Sequence, residues 1–403
     1  MKDSTPNLAT LREEIDRVDD ALAPLLAQRM ELATQVAQEK MENGADVHHP
    51  AREQEVLQRI CNNAPEHLRQ PLNMIYHTMF LANRARQHQL MVEAEETSPL
   101  RQQLATALAR GQGEPWPAGA SVACQGVEGA FSHIAARNMF EQPRILSMHE
   151  FEMVFRAVEQ GLCKFGVLPI ENTTYGSVMR VYDLLRKHQC SIVRAIRLPI
   201  RHCLLSNERF LKDITEIWSH EQALRQCDNF IQKLGDRVTT HVCDNTAIAA
   251  KRAAQEDKPG VAVISSVECA ELYGLNVLKQ EIQDRSDNQT RFICITKQAM
   301  IPPRANKSSV LISLAHHAGS LAEILQLLAS MNINLTKLTN LPVLGNALDA
   351  VFYLDMECDA TSPEYPVMIE KLARHCAQLG VLGSYEEITP PACGERNESC
   401  SLA

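Results

Sequence analysis

The chain has no run approaching 18 consecutive apolar residues, so no helical membrane span is expected. Its first stretch, MKDSTPNLATLREEID, lacks the apolar core of an export signal, and a cytosolic location is expected. Positive charge is not in excess: 40 Lys and Arg stand against 49 Asp and Glu, a formal net charge of −9. No basic field therefore draws the chain to nucleic acid or to an anionic membrane. Thirteen cysteines are present, but none forms a Cys-x-x-Cys pair. An odd, scattered set in so long a chain reads as reduced thiols, neither a disulfide frame nor a zinc site. With 45% hydrophobic and 22% charged residues, the composition is that of a globular protein. At roughly 150 residues per domain, 403 residues suggest two or three domains.

Three stretches differ in rhythm. In residues 1–110, Leu8, Leu11, Ile15, Val18, Leu22 and Leu25 recur at spacings of three and four, the seam of a helix packed on another helix. The pattern continues to about Lys40, a length that suits an intersubunit helix better than a small core. Pro24 predicts a kink near Asp20–Pro24 without ending the register. Further helices are expected to start at Pro50 and at Pro71, the latter running toward Leu108. Residues 110–119 are Gly- and Pro-rich and read as a linker.

Residues 120–298 alternate short apolar runs with amphipathic segments, the pattern of a two-lobed α/β domain with mainly parallel sheets. A second linker, 301–307, precedes residues 307–388, which read strand, helix, strand, strand, helix, strand. That βαββαβ order is the ferredoxin-like arrangement. The tail 389–403 reads as disordered. No metal set is expected, because the His48-His49 and His316-His317 pairs diverge on any regular backbone.

In the helical part, Arg29 and Lys40 are 11 residues apart, about 1,100° of helix rotation, and so share a face. Arg12, 17 residues before Arg29, lies about 100° away and cannot serve the same pocket on one straight helix. Arg52 and Glu53 open the second helix, and Asn83 and Gln87 sit at i and i+4 on the third. Cations with neutral hydrogen-bonding groups suit a small, multiply anionic ligand. A solvated polar face is the bland alternative.

Leu11-Arg12-x-x-Ile15-Asp16, Arg29, Lys40, Pro50-Ala51-Arg52-Glu53 and Asn83-Arg84-Ala85-Arg86-Gln87 resemble the all-helical chorismate mutase family. The resemblance implies an intertwined dimer, in which the first helix lends Arg12 to the partner's pocket. It also implies the Claisen rearrangement of chorismate to prephenate, which needs a folded substrate and a stabilised ether oxygen, with no nucleophile. By this likeness Arg12, Arg29 and Arg52 hold carboxylates, and Asn83 lies beside them. Lys40 and Gln87 donate to the ether oxygen, and Glu53 accepts from the hydroxyl. His49 stands where the family often has Asp, and Asn83 where it often has Ser.

In the middle stretch, Gln125–Ser132 follows a strand and opens a helix, but it is not the Gly-x-Gly-x-x-Gly of a dinucleotide site, and no cofactor is expected. Pro169-Ile170-Glu171-Asn172-Thr173, His202-Cys203-Leu204, Ser219-His220 with Gln226, and Thr290-Arg291-Phe292 follow in order. These sets resemble prephenate dehydratase. The family reaction expels CO2 together with the ring hydroxyl to give phenylpyruvate, with aromatisation as the driving force. The resemblance implies Thr290 as donor to the leaving hydroxyl, with Asn172, Ser219 and Gln226 positioning the substrate. Glu171 is a chemical candidate for proton source if burial raises its pKa. Arg291 could pair a substrate carboxylate, although strand alternation points it away from Thr290. His202 and His220 read as structural.

Gly319-Ser320-Leu321-Ala322, Asn334–Leu338 and Phe352–Asp355 resemble the ACT domain, an amino-acid-sensing module. Thr339-Asn340-Leu341-Pro342 stands where the family carries Glu-Ser-Arg-Pro, so phenylalanine feedback through Gly319–Ala322, Asn340 and Leu341 competes with a purely dimerising role. Together the likenesses imply a bifunctional enzyme of phenylalanine synthesis, a dimer or larger. The rival is a non-catalytic sensor built from a two-lobed binding domain and an ACT module, which has no need of a leaving-group donor at Thr290.

Overall fold

The computed structural model describes residues 7–43, 49–94, 98–113, 116–317, 319–342 and 350–388. The tail from Thr389 lies outside them. The chain divides into two compact units: Met1–Gln102 with His317–Asn332 and Pro366–Ala377, and Gln103–His316 with Ile333–Tyr365 and Gln378–Ala403.

In the first unit, α1 spans Leu8–Asn43, α2 Pro50–Asn62 and α3 Arg69–Ala94. The 36 residues of α1 make a rod about 54 Å long. Pro24 falls inside it without dividing it. Leu8, Leu11, Ile15, Val18, Leu22 and Leu25, the apolar seam of the sequence, are all exposed, whereas Ala37 near the other end is buried. Helix α2 starts at Pro50, and His49 caps it: its Nδ1 accepts from the Arg52 backbone N–H at 3.3 Å. The expected single helix toward Leu108 is instead two, because α4 begins afresh at Pro99 and runs to Gly113. Pro99 has no N–H to extend α3, and Ser98 Oγ accepts from Arg101 N–H at 3.2 Å to start the new helix.

Among the described residues, the second unit holds fifteen strands: β1 (Ser121–Gln125), β2 (Arg144–Met148), β3 (Phe165–Asn172), β4 (Gly176–Ser177), β5 (Ser191–Pro199), β6 (Cys203–Ser206), β7 (Glu216–Ser219), β8 (Thr239–Val242), β9 (Val261–Ser265), β10 (Asn276–Lys279), β11 (Gln289–Thr296), β12 (Lys307–Leu314), β13 (Asn334–Leu341), β14 (Ala350–Glu357) and β15 (Gln378–Ile388). One sheet has the order β13-β14-β12-β15-β5-β11-β3-β1-β2, with β4 on β3, and the other runs β10-β6-β9-β7-β8. The expectation of mainly parallel sheets is corrected. After β5 the chain leaves for the second lobe and returns through β11, which runs antiparallel between β3 and β5. In the second lobe β6 is antiparallel to both β9 and β10.

The C-terminal strands keep the expected βαββαβ order and form an antiparallel sheet, β13-β14-β12-β15. That sheet continues into the first lobe, because β15 pairs with β5. A Cβ at Gly383 would sit 2.0 Å from the Ile192 carbonyl oxygen, so only glycine permits the strands to meet there. Leu168, Ile170, Tyr182 and Ile192 share one apolar cluster with Leu341, Tyr353, Leu382 and Tyr385. The first lobe and the C-terminal sheet are thus one core.

Candidate active sites

Arg29, Lys40, Arg52, Glu53, Asn83 and Gln87 line one cavity of ≈ 670 Å³ floored by Leu32, Val36, Val56, Ile60 and Phe80. Three of its polar atoms are buried without a hydrogen-bond partner: Arg29 Nη1, Asn83 Oδ1 and Gln87 Oε1. Each such atom costs about 1–3 kcal/mol, so three converging on one space are arranged for a polar ligand. Gln87 Nε2 donates to the Ala33 carbonyl at 3.2 Å, which fixes its amide with Oε1 turned elsewhere.

Both oxygens of Glu53 accept from Arg84 Nη1 at 2.6 Å. Arg84 also reaches Glu323 Oε1, 2.8 Å from its Nη2. Sequence reasoning assigned Arg84 no role, since nothing in its own spacing points to an acid 31 residues earlier. Arg12 is exposed on α1, about 25 Å of helix from Arg29, and does not line this cavity.

In the two-lobed part, β11 and β3 pair Thr290 with Asn172 and Arg291 with Glu171. Alternation therefore places Thr290 and Asn172 on one face and the two charged residues on the other. Asn172 Nδ2 donates to Thr290 Oγ1 at 2.8 Å and to Asn288 Oδ1 at 3.0 Å. Asn172 Oδ1 accepts from the backbone N–H groups of Thr174 and Tyr175 at 2.9 and 3.0 Å, which fixes the orientation of its amide. With its oxygen already accepting, the Thr290 hydroxyl keeps its hydrogen to donate. A cavity of ≈ 150 Å³ adjoins this cluster, lined by Thr174, Tyr175, Arg225, Gln226, Gln283, Asp284, Arg285 and Asn288.

Gln226 Oε1 lies 2.7 Å from His202 Nε2. Burial pushes the His202 pKa below its usual value, with the bond to Gln226 opposing. The neutral ring therefore carries its proton on Nε2 and donates it, and the Gln226 amide nitrogen is left to face the cavity. His202 is thus the residue that orients Gln226. Because its folded pKa is depressed, the unfolded chain binds the extra proton first, and this stabilisation is complete above about 6.5 and lost as pH falls. Denaturant unfolding between pH 7.5 and 5 is expected to show a steeper loss in the native chain than in His202→Leu.

Three sequence assignments are corrected here. Arg291 is 1% exposed and faces the C-terminal sheet: Nη1 donates to Asp355, Nη2 donates to Tyr385 OH at 2.7 Å, and Nε lies 2.7 Å from Glu387 Oε1. Glu171, on the same side, is ion-paired with Lys337 Nζ at 2.6 Å, on the face of the sheet away from Thr290, so it does not stand beside the leaving hydroxyl. Ser219 is 0% exposed and its hydroxyl donates to the Ile264 carbonyl at 2.6 Å, so its one hydrogen is committed to the sheet and not to a substrate. Asn288 was missed; an asparagine in a loop before a strand looks like an ordinary turn residue.

In the C-terminal part, Gly319 caps the Ser320–Ser330 helix at φ +94°, a conformation suited to glycine. Ser320 and Leu321 are half-buried, and Ala322 and Asn340 are exposed. Leu341 is buried in the core shared with the first lobe, so its side chain is unavailable to an effector.

Comparison with known proteins gives two family matches: chorismate mutase type II over residues 11–88, and prephenate dehydratase over residues 122–300. The bifunctional chorismate mutase/prephenate dehydratase of Enterobacter agglomerans is 32% identical over 98% of this chain and 100% of its own length. The chain belongs to the bifunctional chorismate mutase/prephenate dehydratase family. In this family member the mutase match runs from α1 into α3 and takes in the whole lined cavity, while the dehydratase match takes in both lobes and Thr290. An Arabidopsis thaliana arogenate dehydratase/prephenate dehydratase is 38% identical over 66% of this chain and 72% of its own. A solved prephenate dehydratase from Arthrobacter aurescens, in complex with L-Phe, matches 66% of this chain and 89% of its own, with 27% identity and a TM-score of 0.60.

Proposed function

We propose that this bifunctional enzyme of phenylalanine synthesis rearranges chorismate in the α1–α3 cavity and dehydrates prephenate beside Thr290. The observation that carries the first half is the set of three unpartnered buried atoms, Arg29 Nη1, Asn83 Oδ1 and Gln87 Oε1, around one cavity. Arg29 and Arg52 pair the substrate carboxylates and hold the ether in its folded form. Lys40 and the Gln87 Nε2 hydrogen that Ala33 leaves free meet the charge that grows on the ether oxygen, and Glu53, itself steadied by Arg84, takes the hydroxyl. Arg29→Ala is expected to lower kcat/KM for chorismate about 100-fold, the loss of a charge-assisted bond, and to leave turnover of supplied prephenate unchanged.

In the second half, the bond to the departing carboxylate breaks and its electrons enter the ring. The ring–hydroxyl bond then opens as those electrons complete the aromatic ring, and the leaving oxygen takes a proton, drawn in the end from solvent, to depart as water. The Thr290 hydroxyl, aimed by Asn172, donates to that oxygen, and the Gln226 amide orients the substrate. Two chains pair through the exposed Leu8–Leu25 seam of α1, which brings an Arg12 to each cavity from a second copy.

Phenylalanine as an effector of the C-terminal module is supported by the L-Phe complex of the Arthrobacter aurescens protein. Purified enzyme given chorismate alone tests the whole reading, with prephenate and phenylpyruvate followed separately. Accumulation of prephenate without phenylpyruvate excludes the second activity, and unconsumed chorismate excludes the first. A dehydratase rate flat in phenylalanine assigns the module to dimerisation.

A further inference from the structure

Beside Thr290 stands a second donor that the reaction just described leaves unused. Asn288 is 3% exposed, yet its Nδ2 is buried without any hydrogen-bond partner, and the residue lines the ≈ 150 Å³ cavity. Its orientation is fixed through its other amide atom: Oδ1 accepts from Asn172 Nδ2 at 3.0 Å and from Thr174 Oγ1 at 3.3 Å. An amide held by two donors on its oxygen must present its nitrogen on the opposite side. The same Asn172 nitrogen lies 2.8 Å from Thr290 Oγ1, so one amide anchors Asn288 and Thr290 side by side. Asn288 immediately precedes β11, two positions before Thr290.

A buried amide nitrogen with no partner costs about 1–3 kcal/mol, a cost removed when an acceptor arrives. The acceptor this reaction brings to Thr290 is the hydroxyl oxygen as its bond to the ring lengthens and negative charge collects on it. One threonine hydroxyl is a weak donor for such a group, and a preorganised second donor strengthens where charge develops. We propose that Asn288 is a catalytic residue of the dehydratase, donating from Nδ2 to the departing hydroxyl oxygen alongside Thr290. This rests on the reading of Thr290 as donor to that hydroxyl.

The full chain serves for the test, with its mutase rate and melting temperature as checks of folding. Asn288→Ala is expected to lower kcat for phenylpyruvate formation roughly 30-fold, within the range for losing one such donor, with KM for prephenate within threefold. Asn288→Asp separates the donor from the anchor, because it keeps an oxygen for Asn172 and Thr174 and loses the N–H groups. Its kcat is expected to fall as far as that of the alanine variant at pH 7.5. Relative to native enzyme it is expected to recover as pH falls toward 5, where a protonated carboxyl can donate; Asp284 and Asp287 are common to both proteins and cancel in the ratio. Native-like kcat in Asn288→Asp at pH 7.5 would show an anchoring role only and overturn the proposal, as would a loss confined to KM. Native-like kcat in Thr290→Val would overturn the underlying reading instead, whatever Asn288 does.

Discussion

Replacing Thr290 by valine is expected to cut the kcat for phenylpyruvate formation about 10³-fold, the upper end of the range for losing a preorganised donor to a departing oxygen, while chorismate consumption stays unchanged. Valine keeps the branched shape, so β11 and its pairing with β3 and β5 survive, and only the hydroxyl is lost. Asn172 would lose one acceptor but keep Asn288 Oδ1 at 3.0 Å, which limits the rearrangement around it. Thr290→Ser is expected to retain most activity, because it restores an O–H at the same point, with more rotational freedom. Prephenate supplied directly, with phenylpyruvate read as product, isolates this step from the mutase. If the valine variant turned over prephenate like the native enzyme, Thr290 would have no part in the chemistry. If both activities fell together with a lower melting temperature, the effect would belong to folding.

Period and angle carried much of this protein. The three-and-four spacing of α1 and the 11-residue offset of Arg29 and Lys40 placed both residues in one cavity, because on a helix sequence distance is angle. The same arithmetic kept Arg12 out of it. Strand alternation likewise separated Arg291 from Thr290, but it could not say what the far face meets. The partners of Arg291 are Asp355 and Glu387, 64 and 96 positions on, and they arrive only because β15 pairs with β5. Glu171 met Lys337 of β13, 166 positions on, so a residue chosen for its chemistry turns toward the C-terminal sheet instead of the Thr290 face. Arg84 and Asn288 were illegible because each acquires its role from a long-range partner. The short strands β6 and β10 are antiparallel members of the second lobe that give only four residues of pattern each.

Arg291→Met is expected to cost about 3–5 kcal/mol of folding stability, the scale for removing one partner of a buried ion pair. Asp355 is 0% exposed, and the guanidinium is its cationic partner at the centre of the cluster. Without it the carboxylate keeps only neutral donors: Ser309 Oγ at 2.5 Å, Tyr353 OH at 2.6 Å and Tyr385 OH at 3.3 Å. Glu387 is partly protected, because Lys307 and Arg197 also reach it. Burial alone would push its carboxyl up, but Arg291 and Lys307 outweigh that and hold it below the usual range. Its contribution is therefore present above the ordinary carboxylate pKa of about 4.5 and lost as pH falls below it, and the methionine variant is expected to lose less in acid than the native chain. Chemical denaturation read on both chains checks the main loss. Adding Asp355→Leu to Arg291→Met is expected to restore much of the stability, since an apolar pair of similar volume is often as stable as the ions it replaces. A residue that bound prephenate would behave in the opposite way, with KM rising and the denaturation midpoint unmoved. That outcome would return Arg291 to the substrate and break the link drawn between β11 and the C-terminal sheet.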